Sequence, residues 1–137
     1  MIIADTNVLS EPLRRDPDAR VLAWLLANQA DLAVTTITVA ELLFGAIRLP
    51  EGRRRRLLLA SIEELMLEAG DRLLTFDERA ARAAAELRME RESAGRPTST
   101  EDLMIAAIAR THGAFVATRN TSDFGGFGVG VLDPWQA

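Results

Sequence analysis

Two kinds of apolar run alternate along this chain. Ile2-Ile3-Ala4 is short and continuous and gives way at once to Asp5-Thr6-Asn7, which predicts a buried strand ending at Asp5. Leu32 to Ile37 is continuous and β-branched and predicts a second strand. Arg72 to Phe76, Ala114 to Thr118 and Val129 to Leu132 predict a third, fourth and fifth. Between them apolar residues recur at helical spacing: Val21, Leu22, Leu25 and Leu26, then Leu42, Leu43, Ala46 and Ile47, then Leu57, Leu58, Ile62, Leu65 and Met66.

Start and stop signals frame these helices. Asp16-Pro17 is read as an N-cap followed by proline at the first helical position. Thr38-Val39-Ala40-Glu41 has the form of a capping box. Pro50-Glu51-Gly52 breaks the chain before a long helix, and Gly70 lies just past its end. Asp77 is read as the cap of an alanine-rich helix through about Glu92, and Ser93 to Pro97 as a turn. Ser99 opens a helix that runs to Gly113. Arg119 to Gly128 is read as a loop with three glycines, and Asp133-Pro134 stops the last strand. No repeat or linker interrupts the series. Strands alternating with helices in this way predict a single α/β domain over residues 1–137 with a mostly parallel sheet.

Composition narrows the chemistry. A chain of 137 residues, 48% hydrophobic and 26% charged, has the size and content of one folded domain. All 16 basic residues are arginine; there is no lysine, cysteine or tyrosine, and His112 is the single histidine. Disulfides, thiolate metal sites, lysine catalysis and Cys–His or His–His pairs are therefore excluded. The longest apolar runs, Val21 to Ala27 and Leu103 to Ala109, fall far short of the roughly 18 residues that span a membrane. The N-terminal residues lack the pattern of a signal peptide, so a cytoplasmic protein without membrane contact is expected. The net charge of −4 is unusual for a protein that binds nucleic acid by neutralising phosphates.

Ligands in parallel α/β sheets sit beyond the carboxyl ends of the strands. Asp5 follows the first strand, and Glu41 is expected in the first turn of the helix after the second. Asp102 lies in the first turn of the helix leading to the fourth strand, and Asp123 in the loop after it. Four carboxylates from four segments thus reach one edge. Converging like charges repel unless a cation joins them. An all-oxygen set suits a hard ion, Mg²⁺ or Mn²⁺. Such ions can activate water against a phosphodiester and reconcile an acidic surface with a phosphate substrate.

Each acid also has a structural reading: Glu41 as a capping-box partner, Asp102 as a helix-dipole partner, Asp5 and Asp123 as turn residues. Their convergence is what favours a site. Asp77 serves as a control, since it looks like a pure N-cap and, if the third strand is at the sheet edge, stands two strand spacings, about 9–10 Å, from the first. Arg14 and Arg15, near the Asp5 loop, and Arg119, near the Asp123 loop, are placed to hold substrate phosphates. Arg53 to Arg56 form a run at a helix start, where positive charge is disfavoured. That run is read either as a solvated face or as a contact to nucleic acid or a partner protein. His112 is assigned to the last carbonyls of its helix and to no catalysis.

Four segments carry a resemblance: Ile2-Ile3-Ala4-Asp5-Thr6-Asn7-Val8, Thr38-Val39-Ala40-Glu41-Leu42, Glu101-Asp102-Leu103-Met104-Ile105-Ala106-Ala107, and Ala117-Thr118-Arg119-Asn120-Thr121-Ser122-Asp123-Phe124. In this order they resemble the signature segments of PIN-domain ribonucleases, and among these the VapC-type toxins, nearest the FitB-like group. Gly128-Val129-Gly130-Val131-Leu132-Asp133-Pro134-Trp135 also fits, with Asp133 where asparagine is common. The resemblance implies a five-stranded sheet of order 3-2-1-4-5 flanked by helices. It further implies Mg²⁺-dependent RNA cleavage, a homodimer, a cognate antitoxin, and operator DNA reached only through that antitoxin. It places Asp5, Glu41, Asp102 and Asp123 at the acidic metal positions, with Asp5 and Asp102 the most direct ligands. Thr6, Asn7, Thr118 and Asn120 match neighbouring polar positions.

Other folds that place an aspartate at a strand end fit less well. A phosphoacceptor receiver domain and a haloacid-dehalogenase-type phosphatase both need a lysine, and position 7, where the latter needs a second aspartate, is asparagine. The alternative kept is a catalytically silent PIN-like protein that binds RNA or a partner. Binding alone gives no reason to gather four acids.

Overall fold

The computed structural model describes all residues, Met1 to Ala137. Five parallel strands form one sheet: β1 (Ile2–Ala4), β2 (Leu32–Thr35), β3 (Leu73–Leu74), β4 (Phe115–Ala117) and β5 (Val131–Leu132), in the order β3-β2-β1-β4-β5. The register sets Ile3 beside Ala33 and Val116, and Ala4 beside Ala117. Side chains alternate across the sheet. Ile3, Ala33, Leu74 and Val116 therefore share one face, and Ala4, Val34 and Ala117 the other.

Seven helices cover the sheet: α1 (Thr6–Ser10), α2 (Ala19–Ala27), α3 (Thr36–Ile47), α4 (Arg53–Ala69), α5 (Glu78–Ser93), α6 (Thr100–His112) and α7 (Thr121–Phe124). On the Ile3 face, α5 and α6 bring Ala80, Ala84 and Leu87 against Leu103, Ala106 and Ala107. Their small side chains let the two helices approach closely, and this is the main helix–helix contact of the fold. Phe124 and Phe127 close that core with rings edge to face, 6.3 Å apart. On the other face Val8, Val21 and Trp135 pack over Ala4 and Ala117, while α3 and α4 pack through Val39, Leu42, Ala46 and Ile62 over Val34.

The strand–helix alternation and the strand order match expectation; several boundaries do not. The helix expected from Asp16-Pro17 begins at Ala19, because Asp18 supplies the cap by accepting from Arg20 N at 2.8 Å. The second strand ends at Thr35 rather than Ile37. Thr35 Oγ1 accepts from Thr38 N at 3.2 Å and starts α3 inside a run that β-propensity alone would extend. The expected capping box is therefore absent, and Glu41 falls in the second turn of α3. The third strand shrinks to two residues, since Gly70–Arg72 forms a 3₁₀ turn. The fourth and fifth strands are also shorter than their apolar runs, and the loop from Arg119 contains α7. Asp77 caps α5, accepting from Ala80 N at 2.9 Å, and Gly113 ends α6 in the left-handed conformation (φ 61°). A Cβ at Gly130 would meet the half-exposed Phe115 ring, so any larger residue where β5 enters beside β4 needs that ring to move.

Candidate active site

All five strands point their carboxyl ends to the same edge, and the four acids come from elements that begin there. Asp5 follows β1 and caps α1, its Oδ1 accepting from Val8 N at 3.1 Å. Its main-chain N–H donates to Ala117 O at 3.0 Å, which fixes it against β4. Asp5 is only 5% exposed. Glu41 is half-buried on α3, and Thr6 Oγ1 donates to its Oε1 at 3.0 Å across 35 residues of sequence. Asp102 is the third residue of α6; its N–H donates to Ser99 Oγ at 3.2 Å. Asp123 is exposed on α7, with its N–H bonded to Asn120 O at 3.0 Å.

The electrostatics show that these acids sense one another. Burial pushes the Asp5 carboxyl above its ordinary value, hydrogen bonds from Thr118 and the Val8 N–H pull it back, and the charge of Asp102 pushes it up again. Burial also raises Glu41; the Thr6 hydroxyl opposes this, and Asp102, Glu101 and Asp5 add to it. Asp102 is raised by burial, lowered by Ser99, and raised by Asp123 and Glu101. Asp77 perturbs none of them. Glu101, not singled out in the sequence, borders the group and adds to its charge.

The donor set is oxygen only. As the side chains stand, no group of three or more of these acids is placed to hold a metal ion together. Mg²⁺ commonly binds through one or two carboxylates and keeps several waters, so an open group of mutually repelling acids fits such an ion.

The neighbouring polar residues divide by contact. Thr6 orients Glu41. Thr118 is fully buried; its Oγ1 accepts from Asn120 N at 3.0 Å, which shapes the turn into α7. Asn7, Arg15 and Asn120 are exposed; Asn7 lies in α1 beside Asp5, and Asn120 immediately precedes α7. The Arg119 guanidinium lies 5.0 Å from the Trp135 ring centroid, so part of its role is to hold the C-terminal turn. Arg14 Nη1 lies 3.3 Å from Glu11 Oε2.

Two positioning residues escaped the sequence reading. Glu11 is 3% exposed, and its Oε1 accepts from Asp18 N at 2.9 Å while it holds Arg14. Arg91 of α5 is 6% exposed and reaches under the Asp123 segment. Its Nη2 donates to Asp123 O at 3.1 Å, its Nη1 donates to Gly125 O, and its guanidinium carbon lies 4.5 Å from the Phe127 ring centroid. Nothing in the spacing of Arg91 distinguishes it from the other arginines of an apparently solvated helix.

Residues 2–125 match the PIN domain family. The chain belongs to this family. It is 44% identical over 139 residues to the plasmid stability protein StbB of Pseudomonas syringae pv. tomato, covering 100% of both chains. It is 42% identical over 139 residues to toxin FitB of Neisseria gonorrhoeae and 41% identical over 138 residues to VapC ribonuclease Y4jK of Sinorhizobium fredii, with 99% of each chain covered in both cases. The crystal structure of FitAcB from Neisseria gonorrhoeae superposes with a TM-score of 0.94 at 39% identity, covering 100% of both chains. The structure of FitAB bound to an IR36 DNA fragment superposes at 0.92, also at 39% identity, over 98% of this chain and 96% of that one. No helix of this PIN-domain protein is long and apolar enough to cross a membrane.

Proposed function

We propose that this PIN-domain chain is a divalent-metal-dependent endoribonuclease acting as the toxin of a toxin–antitoxin pair. The observation that carries the reading is the placement of Asp5 as the cap of α1 after β1, Glu41 on α3 bonded to Thr6, Asp102 in the first turn of α6 and Asp123 on α7, on elements that begin at one sheet edge, in a chain without lysine or cysteine. A relative named VapC ribonuclease, 41% identical, supports RNA as substrate.

Asp5, Glu41, Asp102 and Asp123 would hold Mg²⁺, for which Mn²⁺ can substitute. Bound there, the ion supplies Lewis acidity toward phosphodiester oxygens and lowers the pKa of water. The protein's own part is placement. The cap to Val8 N–H and the Thr118 hydroxyl fix Asp5, Thr6 fixes Glu41, Ser99 fixes Asp102, and Arg91 fixes the main chain of Asp123. Arg14, Arg15 and Arg119 border this edge and supply positive charge for RNA phosphates, with Asn7 and Asn120 available to orient water or substrate. A silent binding protein would have no use for carboxylates on four elements that begin at one sheet edge, with Asp102 raising both Asp5 and Glu41.

The partner reading rests on surface shape as well as on kinship with FitB. An open groove of about 480 Å³ between α2 and α4, lined by Leu9, Pro12, Leu22, Leu25 and Leu65, offers an apolar seat for an antitoxin segment. The acidic edge then suits a basic side chain from that antitoxin. We place operator DNA on the antitoxin alone and assign the toxin a homodimeric state.

The test is direct. Purified protein is incubated with total cellular RNA in Mg²⁺, in Mn²⁺ and in EDTA. Cutting in both metals and none in EDTA is expected; equal cutting in EDTA overturns the metal mechanism. Expression from the native operon should yield a dimer carrying a small co-purifying protein, and a monomer with no such protein by light scattering overturns the partner reading.

A further inference from the structure

A second feature adjoins the acidic edge. A cavity of about 280 Å³ is lined by Thr6 and Glu41, and also by Ser10, Arg14, Gly45 and Arg54. It shares two walls with the candidate active site and adds two guanidinium groups to them. A wider groove bordered by Arg53, Arg54 and Leu57 meets it along Leu13, Arg54 and Leu58.

Arg14 and Arg54 outnumber the Glu41 carboxylate in the lining, and three observations argue that the cavity takes an anion. Arg14 is held from beneath by the buried Glu11, whose other oxygen is fixed by Asp18 N–H, while the Arg14 side chain stays 59% exposed. Its remaining N–H groups are thus oriented before any ligand arrives. Arg54 stands in the first turn of α4, where the helix dipole disfavours a cation, and no carboxylate pairs with it. Gly45 lies inside α3, where glycine costs stability relative to alanine. No atom lies within 4 Å of where its Cβ would stand, so neither packing nor backbone conformation calls for glycine. What its missing side chain leaves is space in this cavity.

We propose that this cavity is a subsite for the RNA nucleotide adjoining the cleaved phosphodiester, with Arg14 and Arg54 on that nucleotide's phosphate. The proposal rests on the nuclease reading above. Guanidinium groups take phosphate through paired N–H donors. The apolar walls, Leu13, Leu42, Leu58 and Ile62, give the sugar or base a surface to lie on. The same two cations repel a basic peptide, which favours RNA over a basic antitoxin tail as the occupant.

The test measures Mg²⁺-dependent cleavage of a labelled single-stranded oligoribonucleotide by wild type, Arg54→Gln, Gly45→Ala and Gly45→Leu across a range of NaCl. In parallel, metal-free binding of the same oligonucleotide to the Asp5→Asn protein is measured with and without Arg54→Gln. Arg54→Gln is expected to raise KM about tenfold with kcat within about twofold. It should also flatten the log–log salt dependence of binding by about 0.7, the contribution of one phosphate on a single strand. Gly45→Leu, whose side chain enters open space, should fold with a Tm at or above wild type and raise KM similarly, and Gly45→Ala should raise KM by a smaller factor. Wild-type KM in both Arg54→Gln and Gly45→Leu, with a wild-type salt slope in Arg54→Gln, overturns the subsite. Loss of antitoxin affinity in these variants with RNA cleavage unchanged also overturns it and makes the cavity a peptide site. If wild type cuts nothing in Mg²⁺, the nuclease reading fails, and the salt slope of the binding arm still decides the subsite.

Discussion

Thr6 and Glu41, 35 residues apart, are joined by a 3.0 Å hydrogen bond that ties the first turn after β1 to the second turn of α3. The hydroxyl donates to the carboxylate, so it favours the charged form that burial and neighbouring acids oppose. Thr6→Val should raise the Glu41 pKa further and move the acid limb of the pH–activity profile upward. A net hydrogen bond of about 1 kcal/mol corresponds to somewhat under one pH unit. Thr6→Ser should keep the wild-type profile. Cleavage rates in Mg²⁺ from pH 5 upward check this, and an unmoved acid limb in Thr6→Val would remove Glu41 from the essential groups.

Asp5 has two roles that two substitutions separate. As a cap it accepts from Val8 N–H, a role asparagine also fills. As a charge it is raised by burial and by Asp102, so its ionised form opposes folding of the metal-free protein. Asp5→Asn should therefore melt at or above wild type in EDTA and gain little from Mg²⁺. Wild type should gain about 2.7 kcal/mol at a 100-fold excess over Kd. Asp5→Ala should lose about 1 kcal/mol in EDTA through the cap. A wild-type Mg²⁺ response in Asp5→Asn would exclude Asp5 from the metal site. Asp77→Asn, which keeps the α5 cap and lies outside the acidic group, should leave cleavage unchanged.

The three raised carboxyls also set a pH dependence of stability. For an acid whose folded pKa exceeds its unfolded value, the folded state binds more protons in between, so stability falls as pH rises across that interval. Asp5, Glu41 and Asp102 all shift this way. In EDTA the Tm should decline from about pH 4 upward, through the interval between ordinary carboxylate values and the raised ones, and then level off. Asp18, lowered by its hydrogen bonds from Arg20, works in the opposite sense. Saturating Mg²⁺ should flatten the decline, because a bound cation favours the ionised acids. Melts at several pH values, with EDTA and with Mg²⁺, read both slopes; a Tm that rises with pH in EDTA would contradict the repulsion.

The alternation of strands and helices and the elements that carry the four acids could be read from sequence because each rests on local information, whereas the strand order was implied by the family resemblance. A short apolar run ending in Asp5, or Ser99 three residues before Asp102, is visible within a few positions. The start of α3 was not, because Val34-Thr35-Thr36-Ile37 favours a strand by side-chain type while the Thr35 hydroxyl caps a helix within the same run. That competition decides which turn Glu41 occupies, and hence that it meets Thr6. Glu11 and Arg91 were missed for another reason. Each looks like one more surface charge, and its role exists only through main-chain groups that the fold brings to it: Asp18 N–H for Glu11, and the carbonyls of Asp123 and Gly125 for Arg91. No local pattern encodes such contacts.

Arg91 yields the last prediction, because it supports the site without touching substrate. Its guanidinium is buried with no carboxylate partner; two carbonyl oxygens and the Phe127 ring stand in for one, and its Nε has no partner. The carbonyls belong to Asp123 and Gly125, so the position of the Asp123 carboxylate depends on this side chain. Arg91→Met keeps much of the apolar volume and removes both charged hydrogen bonds. At about 1.5 kcal/mol or more for each, it should cost about 3 kcal/mol or more. Arg91→Lys retains the charge, but one ammonium cannot reproduce the planar fork that spans the two carbonyls. It should lose less stability, yet still need more Mg²⁺ for half-maximal cleavage than wild type. A purely structural Arg91 would lower the Tm of both variants and leave the Mg²⁺ requirement of the folded fraction unchanged. Mg²⁺ titrations of cleavage well below each variant's Tm separate the two cases, and an unchanged midpoint in Arg91→Lys would show that α5 does not position Asp123 for metal.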